Sequence, residues 1–215
     1  MQYSYNYAFN QRQLCVAYSS LGEIRNSEKN FNDALQACNN ALNEFIKSKY
    51  PIEFAKTQGN LGVVYLNLAR IHDSENNSNN AIQSFKAALS IFKENQYSLD
   101  YGRTQINLAA AYLTLADTSN PEVNIKNAID ACNASLEIFT EDEYPLFYAK
   151  AYVNLGSSYM SLAKIRDKEI NLNKATQAFN KAIKVFSSEK DPKYLYQLGS
   201  ITNPSLNTNP LVIPS

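Results

Sequence analysis

Apolar residues in the second quarter of the chain fall on a helical stripe, with Leu61, Tyr65 and Leu68 at i, i+4 and i+7. The spacing predicts a first helix over residues 51–72, about 30 Å long at roughly 1.5 Å per residue. Pro51 suits its first turn, where a missing N–H costs nothing. The polar run SENNSNN at residues 74–80 predicts a turn with several candidate N-caps. A second stripe of Ala81, Ile82, Phe85, Leu89 and Phe92 predicts a second helix over residues 80–93. One unit is therefore a helix hairpin.

The same pattern recurs every 47 residues. YPIEFAKTQGNLGVVYLNLA from Tyr50 returns as YPLFYAKAYVNLGSSYMSLA from Tyr144. Tyr3, Tyr50, Tyr97 and Tyr144 form one column; Leu14, Leu61, Leu108 and Leu155 form another. Tyr18, Tyr65, Tyr112 and Tyr159 follow, then Ala34, Ala81, Ala128 and Ala175. Phe45, Phe92, Phe139 and Phe186 close the unit. No single hairpin can hide its stripes, so successive hairpins must stack into a superhelical array. The expected units are residues 3–49, 50–96, 97–143 and 144–190. DPKYLYQLGSI places Pro192 in the column of Pro51 and Pro145, which predicts a partial capping helix over residues 191–202. The Pro/Asn-rich residues 203–215 read as an extended tail, expected to lie in a groove of its own chain or of a neighbour.

Composition fits long helices with few connections. The chain has only 6 glycines and 7 prolines, and four of those prolines lie beyond residue 190. Balanced charge, 20 basic against 20 acidic residues, lacks the basic excess that nucleic-acid binding draws on. No apolar run is long enough to span a membrane, and MQYSYNYAFNQRQL lacks the design of a signal peptide. Cys15, Cys38 and Cys132 show no metal-type spacing and read as reduced, buried side chains of a cytoplasmic protein.

At NLGVVYLNLA the unit resembles the tetratricopeptide repeat, whose pattern is Leu-Gly-x-x-Tyr followed later by Ala-x-x-x-Phe. Leu61, Gly62, Tyr65, Ala81 and Phe85 match it, as do Leu155, Gly156, Tyr159, Ala175 and Phe179. In the other two copies Cys15 and Ala109 replace the glycine, while Cys38 and Cys132 replace the phenylalanine. The repeat departs from the usual length of about 34 residues. It also fills the family's Trp column with Gln11, Gln58, Gln105 and Tyr152. The resemblance implies an all-α, right-handed solenoid of four hairpins plus the C-terminal cap. It also implies a concave wall of first helices that binds an extended peptide or helix of a partner protein.

Groove candidates follow from the columns. Gln13, Asn60, Asn107 and Asn154 offer paired donors and acceptors for an unpaired strand, or else a helix–helix hydrogen bond inside the stack. Lys56, Arg103 and Lys150, under Phe9, could attract carboxylates, or else form a solvated face. Arg12 alone occupies the basic position of the family's carboxylate clamp, and Leu66, Leu113 and Met160 make an apolar floor, so a chaperone tail is not the expected ligand. No catalytic set, P-loop, metal site or cofactor fingerprint occurs, and His72 reads as a helix-end cap. The many tyrosines read as packing rather than nucleotide stacking. The expected function is a non-catalytic protein- or peptide-binding scaffold. Alternatives are a module that self-assembles through its end hairpins or tail, and a sensor or regulatory segment of a larger signalling protein.

Overall fold

A computed structural model describes residues 2–25, 27–93 and 96–188. The expected capping helix and tail lie outside these described residues. Eight α-helices occur among them. The first four are α1 (Gln2–Arg25), α2 (Glu28–Glu44), α3 (Pro51–Ala69) and α4 (Ser74–Leu89). The others are α5 (Ser98–Ala116), α6 (Pro121–Leu136), α7 (Pro145–Ala163) and α8 (Lys168–Ser188). The closest packing joins α1 with α2, α3 with α4, α5 with α6 and α7 with α8. Next come the junctions α2 with α3, α4 with α5 and α6 with α7. The all-helical array is thus a row of hairpins, each touching its neighbours. First helices also meet one another, α1 with α3, α3 with α5 and α5 with α7, whereas second helices show no comparable contact among the described residues. That asymmetry puts the first helices on the inner side of the row.

Aromatic pairs hold each junction between hairpins. Phe45 meets Tyr50 at 5.8 Å between ring centroids, Phe92 meets Tyr97 at 6.0 Å and Phe139 meets Tyr144 at 5.5 Å. The Phe and Tyr columns therefore work together, one at the end of each second helix and one before the next first helix.

Within a hairpin, the Gly and Phe columns are complementary in volume. A Cβ on Gly62 would stand 2.5 Å from Cε1 of Phe85, and one on Gly156 would stand 2.6 Å from that of Phe179. The phenyl ring fills the space the glycine leaves. The third hairpin uses Ala109 opposite Cys132, both fully buried. In the first hairpin the pair is Cys15 and Cys38, 23 residues apart, and the two are joined by a disulfide. The expectation of three reduced cysteines is corrected: only Cys132 is a free thiol, and burial raises its pKa. The cytoplasmic location inferred from reduced cysteines loses that support, because disulfides persist mainly in oxidising compartments. No helix among the described residues is long and apolar enough to cross a membrane.

The turn inside the hairpin also differs from expectation. Residues 74–80 belong to α4, and the chain reverses before them. Asp73, Asn120 and Asp167 take φ of 46°, 43° and 46°, a left-handed conformation that Asp and Asn tolerate better than most residues. One turn into α4, α6 and α8, a buried Asn reaches back to close the loop. Nδ2 of Asn77 donates to the His72 carbonyl at 2.9 Å, Asn124 to that of Ser119 at 2.6 Å and Asn171 to that of Arg166 at 2.9 Å. The polar run is thus the start of the helix and not the turn, and Asn77 within it fastens the turn from inside the helix.

Candidate peptide groove

The inner faces of α1, α3 and α5 enclose a cleft of about 360 Å³. Its basic residues are Arg12, Lys56 and Arg103, one from each first helix. Gln13 follows Arg12 directly, while Asn60 and Asn107 lie four positions after Lys56 and Arg103. Helical spacing explains the grouping, since i and i+4 share a face. Lys56 and Asn60 therefore meet on α3, as Arg103 and Asn107 do on α5. Six of the eleven groove residues expected from the sequence thus line one cleft.

The other five do not line it. Leu66 and Leu113 are buried in the apolar cluster between hairpins. Lys150 is buried, with Nζ 6.0 Å from the centre of the Phe147 ring. Asn154 is 0% exposed and donates Nδ2 to the Ile106 carbonyl at 3.2 Å. That is a bond between first helices of neighbouring hairpins. Met160, on α7, is partly exposed at the far end of the row.

Charge in the cleft is unevenly committed. Arg12 Nη2 pairs with Glu53 Oε2 at 2.9 Å, and its guanidinium lies 5.3 Å from the Phe9 ring centre. The Arg12 Nε is nonetheless buried without a hydrogen-bond partner. Arg103 lies 5.9 Å from the centre of the Phe147 ring. Lys56 enters no ion pair among the described residues. Asp100, one turn before Arg103, is the acidic residue in the lining. Asp100, Thr104, Phe85 and Phe92 line the cleft without having been expected there. Asp100 and Thr104 could have been found as helical neighbours of Arg103, but Phe85, on α4, and Phe92, just beyond its end, required the hairpin geometry.

His72 is not a helix cap. Its Nε2 stands 3.2 Å from Glu28 Oε1, across the junction between the first two hairpins. No group of His, Cys, Asp and Glu among the described residues is arranged to hold a metal ion.

A family model for the tetratricopeptide repeat matches residues 63–95, which begin midway along α3 and run past the end of α4. The tetratricopeptide match thus falls within a single hairpin of the array. The match covers the Tyr65, Ala81 and Phe85 positions of the motif, which pack in one apolar cluster with α5 residues. No curated protein and no solved structure matches the chain. Within the tetratricopeptide frame, the motif residues build the stack, and the cleft is formed by side chains between and before them.

Proposed function

We propose that this tetratricopeptide-repeat chain is a non-catalytic scaffold. In this reading the cleft on α1, α3 and α5 takes an extended segment of a partner protein that carries carboxylates. The observation that supports it most is the convergence of Arg12, Lys56 and Arg103 with Gln13, Asn60 and Asn107 in one cleft. The amides suit a strand's unpaired backbone groups, and the cations suit acidic side chains. With first helices about 10 Å apart and about 3.4 Å per extended residue, three rungs span roughly six to nine ligand residues.

Fluorescence anisotropy tests this with labelled extended peptides of that length, one rich in Asp and Glu and one with the matching amides. The acidic peptide should bind more tightly, with an affinity that falls as salt rises. Lys56→Ala with Asn60→Ala should weaken it by roughly tenfold or more, as loss of about 1.4 kcal/mol requires. Equal affinity for both peptides, or an unaffected variant, would reject the assignment.

A further inference from the structure

The two ends of the row carry the two halves of the interface used inside it. Leu61, Leu108 and Leu155 sit on the face of a first helix that packs against the preceding hairpin, and each is 6–7% exposed. Leu14, in the same column of α1, is 43% exposed. Ala17 is exposed too, although Val64, Ala111 and Ser158 in its column are 0% exposed. At the other end the roles reverse. Phe31, Ser78 and Ile125 are buried, Phe31 in a cluster with Leu61 and Val64 of the following hairpin, whereas Leu172, in their column of α8, is 42% exposed.

Charges also cross the first and third junctions, at one pair of repeat positions; the second has Glu75 and Ser119 there. Glu28 on α2 meets His72 of the next hairpin at 3.2 Å, and Glu122 on α6 meets Arg166 of the next at 2.8 Å. These positions recur every 47 residues, and among the described residues Glu169 on α8 and Arg25 on α1 enter no such pair. A second column alternates in sign through Glu23, Arg70, Asp117 and Lys164. Burial lowers the Arg70 pKa while Glu23 raises it. Burial raises that of Asp117 while Lys164 lowers it. Glu23 therefore attracts Arg70 across the first junction, and Lys164 attracts Asp117 across the third.

We propose that a second copy of this chain stacks head to tail, its α1–α2 face seated on the α7–α8 face of the first. The junction would continue the internal one. Leu172 would cover the apolar α1 face at Leu14 and Ala17, Glu169 would meet Arg25, and Lys164 would meet Glu23. No like charges oppose one another in these two columns. Such an interface is heterologous, so it propagates instead of closing at a dimer. It does not depend on the peptide reading, because none of its residues lines the cleft.

Sedimentation velocity of the full chain over a wide concentration range tests the proposal. Average mass should rise with concentration and pass through the dimer without stopping there. Arg25→Glu and Glu169→Arg each put like charges at the junction, and each should weaken association by about threefold to tenfold, the scale of one exposed pair. An equimolar mixture of the two variants should recover association, because every mixed junction again pairs Glu with Arg. Leu14→Asp, at an exposed site, should weaken association further while leaving the far-ultraviolet circular dichroism unchanged. A monomer at every concentration, a plateau at the dimer, or a mixture no stronger than its components would overturn the proposal.

Discussion

Replacing Gly62 with alanine probes the complementarity on which each hairpin is built. The new Cβ would lie 2.5 Å from Cε1 and 2.7 Å from Cδ1 of Phe85, a fully buried ring. Adding a methyl to a filled core costs about 1–3 kcal/mol. Alanine in place of glycine returns about 1 kcal/mol of helix propensity. The net effect should therefore be a loss of about 0–2 kcal/mol. With Phe85→Cys already in place the ring is gone, and the same Gly62→Ala change should stabilise by about 1 kcal/mol. The double variant copies the Ala109 and Cys132 pair that the third hairpin uses. Urea unfolding of the four proteins gives the cycle, with an expected coupling of about 1–3 kcal/mol, equal to the overpacking cost. If Gly62→Ala had the same effect in both backgrounds, the ring would not be what reserves position 62 for glycine.

Two further outcomes follow from the turn and the crosslink. Asn124→Ala removes a buried 2.6 Å bond to the Ser119 carbonyl, so stability should fall by about 1–3 kcal/mol; an unchanged urea midpoint would reject the fastener role. Cys15 and Cys38 are 23 residues apart, and closing a loop of that size corresponds to about 3 kcal/mol. Cys15→Ser with Cys38→Ser should lower the unfolding midpoint, and the wild type unfolded in reductant should fall toward it. Coincident curves for oxidised, reduced and variant proteins would show that the crosslink contributes nothing.

The hairpin array was legible because its signal is redundant: the columns repeat in register, and each apolar stripe has helical spacing. The turn was not, because an asparagine that fastens a loop and one that faces water look alike in a single copy. The clue lay across copies, since Asn30, Asn77, Asn124 and Asn171 keep the same residue in one column. The disulfide was hidden for a related reason. Cysteine spacing alone matched no motif, yet the pairs Gly62 with Phe85, Gly156 with Phe179 and Ala109 with Cys132 are each separated as Cys15 and Cys38 are. Reading two columns together shows that these positions touch, and touching cysteines can bond. The groove was half legible. The polar columns can be found in the sequence, but which rungs open to solvent depends on how closely neighbouring first helices approach.

That approach divides the Asn column between two uses. Gln13 is exposed, Asn60 and Asn107 are nearly buried but still line the cleft, and Asn154 is fully enclosed. An amide that donates to a neighbouring backbone carbonyl, as Asn154 does to Ile106, has spent that donor on the stack. The basic column changes in parallel, from Lys56, without an ion pair among the described residues, to Lys150, buried near Phe147. The same two columns therefore line an open cleft at one end of the row and serve packing at the other. Identical residue types at identical repeat positions do not imply identical roles. The local helix separation decides whether a polar side chain answers to a neighbour or remains open to a partner.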